Sequence, residues 1–285
     1  MLLMQMVRDY IEVLKPRESG LLTFIGICSA VIAGGGNLSL RTLLFVGFAI
    51  LVASAGANGL TNYLDRDVDA RLNRTRHRAL PSRRIYPPEK VLPLTIGLVI
   101  IGLVLAWLLH PYAFIADLVG TAAAGIGRKK VTCVFPQGAL AGCAPVLIGW
   151  FAVKPALDWE IGLLCLLIVV WLPLHVWSVM IFYRDDYINA GLKFFPMSVA
   201  AKDAIRIMSG FCVVLYAVSM ALYFTGGFTW FYLILANLLG IVMVYASLRL
   251  LISGASRDAW RLYKLSAFPY LGLIFLTMCL DIWLF

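Results

Sequence analysis

Nine apolar stretches recur along this chain, and they limit it to very few folds. They run near 20–36, 42–63, 92–109, 112–127, 133–153, 161–182, 205–226, 229–251 and 265–285. A helix needs about 20 apolar residues to cross the roughly 30 Å of hydrocarbon in a bilayer, and in lipid every backbone polar group must be satisfied within its own helix. The expected fold is therefore all-α, a polytopic membrane bundle of about nine transmembrane helices, the fourth being the shortest. Composition agrees, with 62% hydrophobic and 14% charged residues and a mean hydropathy of +0.90, outside the range of soluble domains. No linker or low-complexity tract interrupts the pattern, so 1–285 reads as a single membrane domain.

The formal charge of +9 would suggest nucleic acid only if a basic face stood clear of the apolar segments, and none does. Topology accounts for it instead. With the N-terminus in the cytoplasm, all of the 24 Lys and Arg except Arg41 and Lys154 fall on the cytoplasmic side, the distribution expected of a membrane protein so oriented, and the C-terminus lies opposite. The outer connections GGGNLSLR, HP, KPALDWE and TGGFT are short and nearly uncharged, which directs function to the cytoplasmic face. Residues 1–16 carry acidic groups and lack a signal-peptide cleavage pattern. Val7, Tyr10, Ile11 and Leu14 at helical spacing predict an interfacial amphipathic helix that Pro16 ends. Cysteines 28, 133, 143, 165, 212 and 279 show no C-x-x-C spacing and read as apolar packing residues.

Charge is concentrated where the second apolar segment ends. Thr42 to Ala57 is sixteen residues without a charge, and the chain then gives three aspartates and a run of arginines between Asp65 and Arg78. Asn58, Asn62, Asp65 and Asp69 are spaced 4, 3, 4, so on a continuing helix they share one face with the carboxylates a turn apart. Two like charges that close need a cation between them. Oxygen ligands favour a hard one, and Mg²⁺ typically takes one or two carboxylates plus substrate phosphates. Arg66, Arg74, Arg78 and the Arg128-Lys129-Lys130 run fall on the same side, a mixture suited to neutralising a leaving diphosphate. A second acidic cluster, Asp185 and Asp186, ends the sixth segment and suggests that two such ends face each other. His175 lies deep, roughly 15 Å of helix rise before Asp185, and is either a hydrogen-bonded structural residue or a contact for a polar substrate. Asp117, in the short fourth segment, has no assignable chemistry from the sequence.

These residues resemble the UbiA-type intramembrane prenyltransferases. Asn62-Tyr-Leu-Asp65-Arg-Asp-Val-Asp69 and the trailing Arg74-Thr75-x-x-Arg78-x-Leu80-Pro81 are similar to that superfamily's first motif. Three further stretches resemble its heme-farnesylating branch: Gly138 to Trp150 with Pro145 and Gly149, Trp171-Leu-Pro173-Leu-His175, and Tyr183-Arg-Asp185-Asp186-Tyr187-x-x-Ala190-Gly191. The chain departs from the pattern at Thr61, at Ala79 and in the Ala122 to Gly127 stretch.

The resemblance implies nine helices around a central cavity that both aspartate motifs face, and transfer of farnesyl from farnesyl diphosphate to a vinyl group of heme B, giving heme O for terminal-oxidase cofactor synthesis. It implies Mg²⁺ on Asn62, Asp65 and Asp69, with Asp185 or Asp186 holding a second ion. Arg66, Arg74, Arg78 and residues 128–130 would steady the departing charge, with Tyr183 and Tyr187 also at the substrates and His175 at the heme. Heme is a substrate there, not a cofactor. Membrane lipids and a downstream heme-modifying enzyme are the further partners implied, and nucleic acid is not one. Two rival readings of the residues remain open at this point: prenylation of a quinone precursor or lipid alcohol, and ion-coupled transport, since paired intramembrane acids also mark ion pathways.

Overall fold

The computed structural model describes residues 2–126 and 135–285. Helices occupy every apolar segment. After α1 (Leu2–Val13) come α2 (Pro16–Ala33) and α3 (Leu40–Asp69), then α4 (Leu92–Leu109), α5 (Pro111–Gly125) and α6 (Gln137–Phe151). The second half holds α7 (Trp159–Phe182), the short α8 (Arg184–Asn189), α9 (Ala201–Thr225) and α10 (Trp230–Ser253). It ends with α11 (Ser256–Leu265) and α12 (Leu273–Leu284), joined through a π-helical segment, Ser266–Gly272. No strand is present among the described residues.

The expected all-α membrane bundle is what forms. Among the described residues six helices are long and apolar enough to cross a membrane. The segments expected near 20–36, 112–127 and 133–153 yield helices of 18, 15 and 15 residues, of which α2 also carries Arg17 and Glu18 in its first turn. Helices α2 to α7 pack each against the next, α9 and α10 follow, and α12 returns to α2, closing a ring. Its outer surface is apolar, with Ile100, Trp107, Ile234, Leu238, Ile241 and Ile252 exposed, the composition lipid requires.

Sequence explains the closest helix crossing. A Cβ on Gly149 of α6 would lie 2.0 Å from the Gly26 carbonyl oxygen of α2, and one on Gly26 would lie 2.6 Å from the Pro145 oxygen. Only glycine lets these backbones touch, as small residues do in membrane bundles generally. Ser29 completes the contact by donating to the Val146 carbonyl at 2.8 Å. The last helix breaks for a different reason. Pro269 has no N–H to give the preceding turn, the backbone at Ala267 leaves helical geometry at ψ −137°, and the π turn absorbs the extra residue.

Helix α1 is amphipathic, as expected, with Leu3, Met4, Met6, Val7 and Ile11 exposed. Its other face holds Asp9 and Val13, which are buried, and Tyr10 packs against the cluster of Val13, Ala79, Leu80, Ile85 and Val91. Arg84 locks the arrangement through ion pairs with Asp9 and with Glu12, the latter at 2.6 Å. The 79–91 loop thus lies against α1 rather than free in solvent. Cys28, Cys143, Cys165, Cys212 and Cys279 are free thiols; Cys133 lies outside the described residues.

Candidate active site

The end of α3 and the start of α8 meet at one end of the bundle. Asn62, Asp65 and Asp69 stay on one continuous helix, as their spacing predicts, and are 8%, 1% and 1% exposed. Asn62 donates its amide nitrogen to the Val13 carbonyl at 2.6 Å, which commits the nitrogen and turns the amide oxygen to the other side. Asn58 donates to the Ser19 hydroxyl at 2.9 Å. The two asparagines therefore pin the α1–α2 turn against α3, a role the sequence did not suggest. Asp69 pairs with Arg78 at 3.1 Å, and the buried Thr75 donates to the Asp69 carbonyl at 2.9 Å, closing the helix end.

Arg74 joins the two motifs. Its Nη2 donates to the Tyr187 hydroxyl at 3.1 Å, and its guanidinium lies 5.6 Å from the Tyr183 ring centre. Burial works against its charge, but the oxygens of Tyr187 and Asp69 outweigh that, and its pKa lies above the ordinary arginine value. Its Nε is buried without a hydrogen-bond partner among the described residues. An orphaned buried donor on a cation is costly, and an anion is the group that would relieve it.

Asp186 and Arg66 make contacts that their spacing did not suggest. Asp186 spends both carboxylate oxygens on the loop after α3: Oδ1 accepts from the Asn73 backbone and side chain at 2.9 Å each, and Oδ2 from the Arg74 backbone at 3.2 Å. It acts as a clasp between motifs, and Asp185 beside it is exposed. Arg66 folds back along its own helix, donating to the Tyr63 carbonyl at 2.8 Å, with its guanidinium 4.1 Å from that ring and 3.7 Å from Asp67. The structure does not bring it to the Asp65–Asp69 face. Arg128, Lys129 and Lys130 lie outside the described residues.

Two cavities open at this end. The polar one, about 450 Å³, is lined by Arg8, Glu12, Lys15, Arg17, Glu18, Asn62 and Arg78 with apolar neighbours. The second, about 260 Å³, runs into the bundle between α2, α3, α5, α6 and α7 and is mostly apolar, its wall including Leu22, Ile25, Ile148, Ile168, Leu172 and His175. Glu18 lines both. His175 sits between Trp171 and Tyr263, with ring centres 4.8 and 4.7 Å away, and its Nδ1 lies 3.0 Å from the Ser266 hydroxyl. The Trp171 indole donates to the Ser266 carbonyl at 2.5 Å. Tyr263, Ser266 and Glu18 were not singled out from sequence. An acidic residue two places after Pro16 and polar residues at i, i+3 where the last apolar segment begins were the signals available.

Among the described residues no three His, Cys, Asp or Glu groups gather into a metal cage. The donor set nevertheless fits Mg²⁺, which uses one or two carboxylates and takes the rest from phosphate and water. Asp65, Asp69 and the free oxygen side of Asn62 supply hard oxygens only, and the orphaned Arg74 Nε fits the phosphate that would accompany the ion.

Comparison with known proteins points the same way. The model of the UbiA prenyltransferase family matches residues 21–270. A protoheme IX farnesyltransferase of Desulforudis audaxviator is 35% identical over 97% of this chain and 89% of its own, and one of Gloeobacter violaceus is 32% identical over 96% and 92%. Among solved structures, digeranylgeranylglyceryl phosphate synthase superposes with a TM-score of 0.79 at 18% identity, covering 97% of this chain and 98% of that one. A UbiA homolog from Archaeoglobus fulgidus bound to GPP and Mg²⁺ gives 0.63 at 15% identity, covering 95% and 99%. These two superpositions establish a shared fold.

Proposed function

This chain belongs to the UbiA prenyltransferase family, and we propose that it transfers farnesyl from farnesyl diphosphate to a vinyl group of heme B, giving heme O. The observation that carries this reading is that a charged cavity lined by Asn62 and Arg78 and an apolar one running into the bundle share Glu18 in their walls. The first suits a diphosphate and the second, about the volume of one prenyl chain, suits the group to which an acceptor is brought. The names of the relatives, each about a third identical over nearly the whole chain, support heme as that acceptor.

Asp65, Asp69 and Asn62 would hold one Mg²⁺ on the diphosphate, and Asp185 a second; bound Mg²⁺ supplies charge neutralisation to the leaving oxygens. Arg74 offers its free Nε and Arg78 its guanidinium to the same oxygens, stabilising charge where it develops. The C1–O bond of the prenyl diphosphate breaks with its electron pair on oxygen. The vinyl π electrons then bond to the allylic carbon, which leaves a cation on the heme substituent, and water converts that cation to an alcohol with loss of a proton. The apolar walls keep water from the first cation. His175, held at Nδ1 by Ser266, presents its remaining nitrogen as a contact for the heme, an axial imidazole being a common iron ligand. Orientation follows from charge: the N-terminus and the site face the cytoplasm and the C-terminus the other side. Lipid surrounds the bundle, and a heme-modifying enzyme would receive the product.

The test is direct. Purified protein given heme B, farnesyl diphosphate and Mg²⁺ should produce a heme heavier by one farnesyl group and one hydroxyl, with one diphosphate released. Unchanged heme, with prenylation of an aromatic acid or a lipid alcohol instead, would overturn the assignment of acceptor.

A further inference from the structure

Asp117 takes no part in the reaction as written, yet its surroundings mark it as more than packing. It lies on α5, about 12 Å of helix rise from the end at Gly125, is 4% exposed, and belongs to the wall of the apolar cavity. Thr121, one turn further on, donates its hydroxyl to Oδ1 at 3.3 Å. The other oxygen, Oδ2, is buried with no hydrogen-bond partner among the described residues. A polar atom orphaned in this way costs free energy, and helix packing does not require it. The neighbouring contact of α5 with α6 is made by small groups, Gly120 against Ala144.

Ser54 of α3, one turn deeper than Asn58, lines the same cavity. An apolar cavity stays dry, and a buried water is held only where two to four polar partners are within reach. Asp117 and Thr121 are hydrogen-bonded to each other, and Ser54 is a further polar group on the wall of the same mostly apolar cavity. The orphaned oxygen is the acceptor that such a water would satisfy. His175 is on the same wall, so the hydrated spot and the proposed acceptor contact share one cavity.

We propose that Asp117, oriented by Thr121 and assisted by Ser54, binds the water that ends the reaction and takes its proton. This rests on the reading of the protein as a heme farnesyltransferase. Once the farnesyl carbon has bonded to the vinyl group, the positive charge sits on the carbon next to the macrocycle. A lone pair of water forms the new C–O bond while the Asp117 carboxylate removes one of the water protons, leaving an alcohol and a neutral carboxylic acid. The proton then leaves through the cavity mouth at Glu18 to solvent or to the released diphosphate. Without a placed base the same cation loses a proton from carbon and ends as a diene, one water lighter.

The experiment uses the full chain in detergent with heme B, farnesyl diphosphate and Mg²⁺ in heavy-oxygen water, and resolves the heme products by mass. Wild-type protein should give an alcohol bearing one labelled oxygen. Asp117→Asn should slow hydration about 100-fold, so that the product one water lighter dominates while diphosphate released per prenylated heme is unchanged. Asp117→Glu should restore part of the labelled alcohol. If Asp117→Asn does not fold, Thr121→Val combined with Ser54→Ala carries the test and should shift the products in the same direction. Labelled alcohol as the main product of the folded Asn variant, or of the double variant in its place, overturns the role of Asp117 and leaves farnesyl transfer standing. Wild-type protein that adds no farnesyl to heme overturns the transfer reading itself, and this proposal with it.

Discussion

Asp65 and Asp69 lie within one 30-residue helix, each 1% exposed, and Asp69 is paired with an arginine from its own motif. Asp185 and Asp186 lie on a six-residue helix after a break, one of them exposed and the other bonded to backbone more than 110 residues away. In sequence the two clusters look like repeats of one device. In the fold the first is a sealed pair of hard oxygens, while the second spends half its carboxylate capacity holding the first motif's loop in place. Similar residue type at similar positions thus fixes location without fixing role, and what separates the roles is which hydrogen-bond donors the rest of the fold brings to each carboxylate.

Substitutions can break that contrast. Asp65→Asn and Asp69→Asn should each reduce turnover by about 1,000-fold or more, since a neutral amide cannot balance Mg²⁺ and diphosphate charge, while circular dichroism shows the fold intact. Near-normal activity at ordinary Mg²⁺ would remove the metal from this pair. Asp185→Asn should weaken Mg²⁺ binding by about 10-fold, seen as a higher Mg²⁺ concentration for half-maximal rate, with stability unchanged. Asp186→Ala should do the reverse. Loss of a charged acceptor from three donors should cost on the order of 2 kcal/mol, read as a lower unfolding midpoint, and should raise KM for the diphosphate more than it lowers kcat. If Asp186→Ala instead matched Asp65→Asn in turnover with no loss of stability, the two clusters would be functional equals. Arg41→Gln, exposed at the opposite end, should stay within about 0.5 kcal/mol and leave activity unchanged.

The sequence carried the bundle, the shared face of Asn62, Asp65 and Asp69, and the presence of His175 in a buried setting, because each follows from local spacing or from unbroken apolar runs. It did not carry the clasp at Asp186, the fold-back of Arg66 onto Tyr63, or the opening of Asp117 onto a cavity. Those depend on contacts between residues far apart in the chain or on which rotamer wins among several nearby partners, and spacing is silent on both. The shortfall in span length has a similar origin. The first, fourth and fifth apolar segments form helices of 18, 15 and 15 residues, and α2 begins with charged residues that line the polar cavity.

The π turn at Ser266–Gly272 sets the rotational phase between two halves of the final helix. Upstream, Tyr263 faces His175 and the Ser266 hydroxyl meets its Nδ1. Downstream, Asp281 accepts hydrogen bonds from the Thr229 backbone and hydroxyl and from the Tyr232 backbone, capping α10 at the opposite end of the bundle. Removing one residue from the turn would rotate one half against the other by about 100°. Either the histidine would lose its stacking partner or α10 its cap, so the two ends of the molecule can tolerate changes of residue type far more readily than a change in the number of residues between them.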